Sequence, residues 1–168
     1  PLARLIVLSG LPGSGKSTLA KGLSDLSGAI LLRVDVFEQD LRNVNSSDFD
    51  VGAQGYQIGY DHARRHLLEG KDVIADAVNA VEPAREGWRA IAQETGTRVI
   101  EIEIVCTNED EAAMRLRTRE TGIDGLLPIS LQERRERIWE PNPQISGTVD
   151  TAGRPIADCV DDLFHLVK

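Results

Sequence analysis

The residues best suited to chemistry lie in one short stretch near the start of the chain. Residues 10–17 read Gly-Leu-Pro-Gly-Ser-Gly-Lys-Ser, which fits the pattern G-x-x-x-x-G-K-[ST]. Glycines let the backbone curl so that successive N–H groups point at an anion, and a helix that begins there adds its positive dipole end. Lys16 can then reach nucleotide phosphates, and the Ser17 hydroxyl can coordinate Mg²⁺. The stretch predicts a phosphate-binding loop.

Two further apolar runs each end in an aspartate. Residues 29–34 lead to Asp35, and residues 71–75 lead to Asp76. In parallel sheets, chemistry is expected at the carboxyl ends of the strands. Asp35 could accept a proton from an attacking hydroxyl or hold Mg²⁺ through water, or it could only cap the next helix. Asp76 suggests the acid that holds Mg²⁺, with an ordinary strand-end aspartate as the alternative.

A pair of arginines could neutralise developing charge. Arg115 and Arg119 are four residues apart in a predicted helix over 109–120, so they share one face. Guanidinium groups suit the charge that develops on a transferring phosphoryl group, and the alternative is a solvated face paired with nearby glutamates. The glycine-containing turn at 121–125 follows, where we expect a lid.

Three other polar residues leave alternatives open. Arg42 precedes the polar loop 43–53, which we expect to be mobile and to face a substrate, and it could contact an anionic substrate or simply be solvated. Asn79 could hydrogen-bond a substrate or position a loop. Arg85 could point back toward the site. The residue types and sequence positions of these three residues do not decide between a role in substrate binding and a structural role.

Strands and helices alternate along the chain, which predicts an α/β fold. The opening strand–helix–strand unit implies a parallel sheet with a right-handed crossover. The predicted strands cover 4–9, 29–34, 71–76, 98–105 and, more weakly, 145–150. The predicted helices cover about 15–26, 54–69, 82–95, 109–120, 130–139 and 156–167.

Length and composition indicate one ordinary globular domain. The chain has 168 residues, of which 41% are hydrophobic and 27% charged. The net charge of −8 disfavours a large non-specific nucleic-acid surface, and no apolar run approaches the ~20 residues of a membrane span. We interpret Cys106 and Cys159 as reduced, buried thiols of a cytoplasmic protein. His62 and His66 share a helix face without an H-E-x-x-H pattern, so we interpret them as solvated or packed.

Taken in order, these features resemble the small P-loop kinases. The chain is similar to the branch that contains chloramphenicol phosphotransferase, zeta-toxin-like kinases and polynucleotide 5′-hydroxyl kinases. The likeness to chloramphenicol phosphotransferase is nearest in order and spacing and covers nearly the whole chain. It rests on residues 10–18, Asp35, residues 73–79, residues 85–89, Arg115-x-x-x-Arg119 and residues 149–151.

The resemblance implies a three-layer, nucleoside-kinase-like P-loop fold with a five-stranded parallel sheet. It implies one kinase domain over residues 1–168 with a lid at about 115–140. It also implies that ATP with Mg²⁺ donates a γ-phosphoryl group to a hydroxyl group of a small molecule. Neither a membrane nor a long nucleic acid is expected as a partner.

Carried onto matching positions, the resemblance assigns roles to individual residues. Asp35 would be the general base, with Lys16 and Arg119 acting on the phosphates, and Ser17 with Asp76 would hold the metal. The nucleotide contacts would come from Leu11, Pro12, Gly13, Ser14, Gly15, Lys16, Ser17, Thr18, Arg115 and Thr151.

Two departures concern the acceptor. Many hydroxyl kinases of this branch carry an arginine three residues after the base, where this chain has Glu38, and Arg42 or Arg33 could compensate. The loop 43–53 lacks an antibiotic-pocket signature, so chloramphenicol itself is not carried over as the substrate.

Three rival functions are compatible with a phosphate-binding loop. A 5′-hydroxyl polynucleotide or nucleoside kinase is one, although the acidic net charge disfavours a long nucleic acid. A nucleotide-binding regulatory switch is another, but the guanine-reading N-K-x-D motif is missing, since residues 107–110 read Thr-Asn-Glu-Asp. A bare ATPase motor would need machinery for which the chain is too short.

Overall fold

A five-stranded parallel sheet forms the centre of the computed structural model, which describes residues 2–46, 50–118 and 130–168. The strands are β1 (Arg4–Ser9), β2 (Ile30–Arg33), β3 (Val73–Asp76), β4 (Arg98–Val105) and β5 (Gly147–Asp150). The helices are α1 (Lys16–Ser27), α2 (Val34–Val44), α3 (Gln54–Leu68), α4 (Glu82–Thr95), α5 (Glu109–Thr118), α6 (Leu131–Glu136) and α7 (Ile156–Leu166). The predicted α/β class and five parallel strands are confirmed.

Alternating side chains of the central strand divide the core into two layers. β1 presents Ile6 and Leu8 to one face and Leu5 and Val7 to the other, and all four are almost fully buried. The first face packs against α1 and α7, through Leu19, Leu23, Cys159, Val160 and Leu163. The second face packs against α3 and α4, through Tyr60, Ala63, Leu67, Trp88 and Ile91. The result is the three-layer arrangement expected from the sequence.

The strand order places the candidate groups at one edge of the sheet. The order is β2-β3-β1-β4-β5, so β1 lies between β3 and β4. Parallel pairing sets Leu8 beside Asp76, and Asp76 beside Arg33. Because the carboxyl ends of parallel strands meet at the same edge of the sheet, the loop after β1 begins next to the side chains of Asp76 and Arg33.

Several boundaries differ from the sequence prediction, and α2 is a helix that was not among the predicted ones. The second strand ends at Arg33, and Val34 begins α2, so Asp35 lies in the first helical turn and not at the end of a strand. Val34 is buried against the α3 and α4 layer, and this packing of a helical face outweighs the β preference of the run. The predicted helix over 130–139 ends at Glu136.

Within the described ranges, none of the helices is long and apolar enough to cross a membrane.

Candidate functional site

Residues 10–17, hereafter the phosphate loop, curl tightly between β1 and α1. Gly13 and Gly15 have φ angles of 85° and 93°, in the left-handed region that favours glycine. At Gly10 a Cβ atom would lie 2.5 Å from the Ile104 carbonyl oxygen, so only glycine allows the backbone to pass this close to β4. α1 begins at Lys16, so its N-terminus opens into the loop. The loop therefore has the backbone shape and the dipole needed to bind an anion.

The guanidinium of Arg115 binds the outside of the phosphate loop. Its Nη1 donates to the carbonyl oxygens of Gly13 and Ser14, at 3.2 Å each. The Thr151 hydroxyl donates to the Ser14 carbonyl oxygen over 2.6 Å, and it accepts from Arg115 Nη1 over 2.8 Å. Glu111 pairs with Arg115 Nη2 at 2.7 Å. Arg115 and Thr151 thus reach the loop through its backbone carbonyls.

Arg134 makes a similar contact that the sequence did not reveal. Its Nε donates to the Pro12 carbonyl oxygen over 2.7 Å. The next residue, Arg135, pairs with Glu109 at 2.8 Å and so joins α6 to α5. The carbonyl and N–H groups of a trans peptide point in opposite directions, so carbonyls held on the outside direct the following N–H groups inward. The only available signal was the glutamate- and arginine-rich composition of the helix.

Asp76 is the buried acid at the sheet edge. It is 3% exposed, forms a salt bridge with Lys16, and lies 3.5 Å from Arg33 Nε through its Oδ2 atom. Burial opposes ionisation, but the charges of Lys16 and Arg33 and the Ser17 hydroxyl outweigh it and hold the pKa of Asp76 below its ordinary value. Asp76 is therefore a carboxylate at neutral pH, beside the start of α1.

The oxygen atoms around Asp76 suit a magnesium ion. Oδ2 of Asp76 accepts no hydrogen bond from any described residue, although it is buried. The Ser17 hydroxyl lies beside the same carboxylate. Mg²⁺ prefers oxygen ligands and usually keeps waters and substrate phosphates, so one carboxylate and one hydroxyl are a sufficient protein contribution. In residues 2–46, 50–118 and 130–168, no group of three or more His, Cys, Asp or Glu residues could hold a metal alone.

A pair of acids lies on one face of α2. Asp35 and Glu38 are three residues apart, so they share that face. Burial, and then the neighbouring charge of Asp35, raises the pKa of Glu38, while Arg42 and Arg137 oppose the rise. The Glu38 side chain packs on Gly55 of α3, where a Cβ atom would overlap with Glu38 Cγ. The absence of a side chain at residue 55 thus decides where Glu38 lies.

One cavity of 740 Å³ connects these groups. The phosphate loop and Thr18 line it, together with Asp35 and Glu38 of α2 and with Thr151 and Cys159. The Asp35 carboxylate makes no hydrogen bond or ion pair with any residue that the structure describes. Its carboxylate is therefore available to a molecule in the cavity.

Asn79 positions a loop and has no group left for a substrate. It is fully buried with a φ of 51°, and its Nδ2 donates to the Leu8 carbonyl oxygen over 2.9 Å. Its Oδ1 accepts a hydrogen bond from Trp88 Nε1, and its backbone carbonyl oxygen accepts one from Arg85 Nε, each over 2.8 Å. Its backbone N–H donates to Tyr56 Oη. Arg85 is 1% exposed and bonds backbone carbonyls, so it supports this loop and does not face the cavity.

The other sequence-derived candidates have the following placements. Arg119 and the glycine-containing turn at 121–125 lie outside the described residues, as does the middle of the loop at 43–53. His62 stacks on Phe37 with ring centroids 5.0 Å apart, so its face is packed, as interpreted from the sequence. Cys106 and Cys159 are free and buried, which confirms that part of their interpretation.

Two curated relatives share moderate sequence similarity with the chain. The uncharacterized protein Rv2004c of Mycobacterium tuberculosis is 29% identical over 177 residues, which cover 97% of this chain and 34% of that protein. The chain thus spans about a third of the length of the first such relatives. A probable adenylyl-sulfate kinase of Aeropyrum pernix is 29% identical over 183 residues, which cover 98% of this chain and 92% of that one.

A solved structure shares the fold. A candidate kinase from Chloroflexus aurantiacus superposes with a TM-score of 0.76 at 22% identity, over 100% of both chains.

The AAA domain family (AAA_33) matches residues 5–124, which include the phosphate loop, Asp35 and Asp76. Since this match covers more than half of the sequence, the chain belongs to the AAA domain family AAA_33.

Proposed function

We propose that this protein is a kinase that transfers the γ-phosphoryl group of ATP to a hydroxyl group of a small molecule. The observation that carries the proposal is the cavity lined by both the phosphate loop and the unpaired carboxylate of Asp35. The similarity to a probable adenylyl-sulfate kinase and to a candidate kinase supports a phosphotransferase. The proposal concerns this domain, because the chain spans only 34% of its mycobacterial relatives.

In the proposed reaction, the phosphate loop and Lys16 bind the ATP phosphates. The acceptor oxygen attacks the γ-phosphorus while Asp35 takes the hydroxyl proton. A bond forms between the acceptor oxygen and phosphorus, and the bond from phosphorus to the β,γ-bridging oxygen breaks, so ADP leaves with that electron pair. Most of the rate enhancement would come from positioning and from neutralised charge.

Ser17 and Asp76 would hold Mg²⁺ at the start of α1. When bound, the ion supplies positive charge to the phosphates. Lys16 and, after it, Arg33 keep that carboxylate ionised. Arg119 remains the proposed lid arginine, and residues 115–140 the proposed lid of a single kinase domain.

An acceptor screen with a matched pair of variants tests the proposal. ADP release is measured with ATP, Mg²⁺ and a panel of hydroxyl compounds, for the wild type, Asp35→Asn and Asp40→Asn. Asp40 is exposed on the same helix and does not line the cavity, so its variant removes the same charge elsewhere. We expect an acceptor that raises ADP release in the wild type and in Asp40→Asn, and a loss of about 10²- to 10⁴-fold in Asp35→Asn with ATP affinity kept. Equal rates in all three proteins would refute the role of Asp35, and failure to bind ATP would refute the function.

A further inference from the structure

Two arginines, Arg42 and Arg137, line the cavity together with Asp35 and Glu38. Arg42 is half-buried and Arg137 is exposed, and the charge of each lowers the pKa of Glu38, but neither guanidinium forms a hydrogen bond or ion pair within the described ranges. Arg33, by contrast, is paired with Asp76. The chain carries 27 acidic side chains against 19 basic ones, so carboxylate partners are abundant elsewhere. Two unpaired guanidinium groups in one cavity therefore indicate a site for an anion.

The four charged groups come from two directions. Asp35, Glu38 and Arg42 follow one another along one face of α2, at spacings of three and four residues. Arg137 directly follows α6, and both arginines act on the charge of Glu38. The acids and the cations thus lie within electrostatic reach of one another, which places hydroxyl-binding and anion-binding groups in one small space.

We propose that the acceptor is a small polyhydroxylated anion. Its hydroxyl groups donate hydrogen bonds to the oxygens of Asp35 and Glu38, and its carboxylate or phosphate group binds Arg42 and Arg137. Guanidinium groups bind such planar or tetrahedral oxyanions with paired, charge-assisted hydrogen bonds. This inference rests on the proposed kinase function, since it names the class of molecule that receives the phosphoryl group.

The test compares acceptors that share one carbon skeleton. The set contains a hexitol, the corresponding hexonate, the hexitol phosphate and an aminohexitol, each assayed for ADP release and for its phosphorylated product by mass spectrometry. We expect the hexonate or the phosphate ester to be at least about tenfold better in kcat/KM than the hexitol, and the aminohexitol to be the poorest. Which of the two anions is better distinguishes a carboxylate from a phosphate. This comparison uses only the wild-type protein, so its outcome does not depend on whether a variant folds.

The second arm removes the cations one at a time. Arg42→Gln and Arg137→Gln should each raise the KM of the anionic acceptor about tenfold, while the KM of ATP stays unchanged. Arg65→Gln, which removes an exposed charge from α3 outside the cavity, should leave both constants unchanged. A hexitol phosphorylated as well as the anions, or a KM for the anion unchanged in both cavity variants, would overturn the inference and leave the kinase proposal intact. Absence of ADP release with every hydroxyl compound would overturn both.

Discussion

Arg134 holds the phosphate loop from the outside, because its Nε donates to the Pro12 carbonyl oxygen over 2.7 Å although the two residues are 122 positions apart. Arg115 does the same for Gly13 and Ser14. Two helices that follow β4 in the chain therefore bind the backbone of a loop that precedes α1. Their side chains fix carbonyl groups, and so the direction of the N–H groups that would bind phosphate.

The first prediction concerns Arg134→Gln. A hydrogen bond typically contributes about 1 kcal/mol, so loss of this contact should weaken binding of a non-hydrolysable ATP analogue about fivefold in calorimetry. Arg135→Gln is the matched control, because it removes the neighbouring exposed ion pair and leaves the Pro12 contact in place. Equal affinities of the two variants would contradict a positioning role for Arg134.

The second prediction concerns Asp76→Asn. This change leaves Lys16 and Arg33 without their carboxylate in a buried site, so the free energy of unfolding should fall by about 3 kcal/mol. Asp25→Asn breaks an exposed pair with Lys21 and should cost less than about 1 kcal/mol. The pKa of Asp76 is lower in the folded state than its ordinary value of 3.8. The contribution of Asp76 to the stability of the fold is therefore full above pH 3.8 and is lost as the pH falls through the lower, folded-state pKa. Denaturant unfolding between neutral and acid pH would show a weaker acid dependence in Asp76→Asn.

The third prediction concerns Glu38, whose pKa is shifted in the opposite direction to that of Asp76. Burial and the charge of Asp35 raise its pKa above 4.5, so the folded state holds this proton more tightly than the unfolded state. Its contribution to stability is therefore full below pH 4.5 and is lost as pH rises through the folded pKa. Glu38→Gln should be more stable than the wild type at neutral pH, and that advantage should shrink on acidification. An advantage independent of pH would indicate that the carboxyl group is not desolvated.

The fourth prediction concerns Gly55→Ala, which places a Cβ atom on Glu38 Cγ. We expect a loss of about 1 kcal/mol in unfolding free energy, since the overlap outweighs the better helix propensity of alanine. The double variant Gly55→Ala with Glu38→Ala removes the overlapping Cγ and should recover that stability. A Gly55→Ala protein as stable as the wild type, with unchanged acceptor kinetics, would show that Glu38 is not held by this contact.

Much of the candidate site could be predicted because its signals are local. The phosphate loop is a contiguous motif, and the strands that flank it have recognisable apolar runs. Asp76 ends β3 as expected, and pairing with β1 brings it beside the loop. Asp35 lines the same cavity as the loop, but it belongs to the first turn of α2 and not to the strand end where it was expected. The family match is compatible with the small P-loop kinase resemblance, while the branch nearest to chloramphenicol phosphotransferase stays a prediction.

The roles of the arginines and of Asn79 could not be predicted in the same way. Arg115 was expected to contact the nucleotide; it lines the cavity, and its hydrogen bonds go to loop carbonyl oxygens, to Thr151 and to Glu111. Its nucleotide contact stays a prediction. Asn79 had two open interpretations, and its buried hydrogen bonds to Leu8 and Trp88 leave only the structural one. Each of these partners depends on how helices pack on the sheet, which spacing along the chain does not encode.

By itself, the sequence determined the phosphate-binding backbone and the acids at the ends of two apolar runs, because a turn motif and strand periodicity act over a few neighbouring residues. Only the tertiary structure decided which charges are paired. It joined Lys16 and Arg33 to Asp76, and it left the Asp35 and Arg42 side chains lining the cavity without a hydrogen bond or ion pair among the described residues. The physical reason is that the pairing and desolvation of a charge depend on atoms brought close by packing, from residues far apart in the chain.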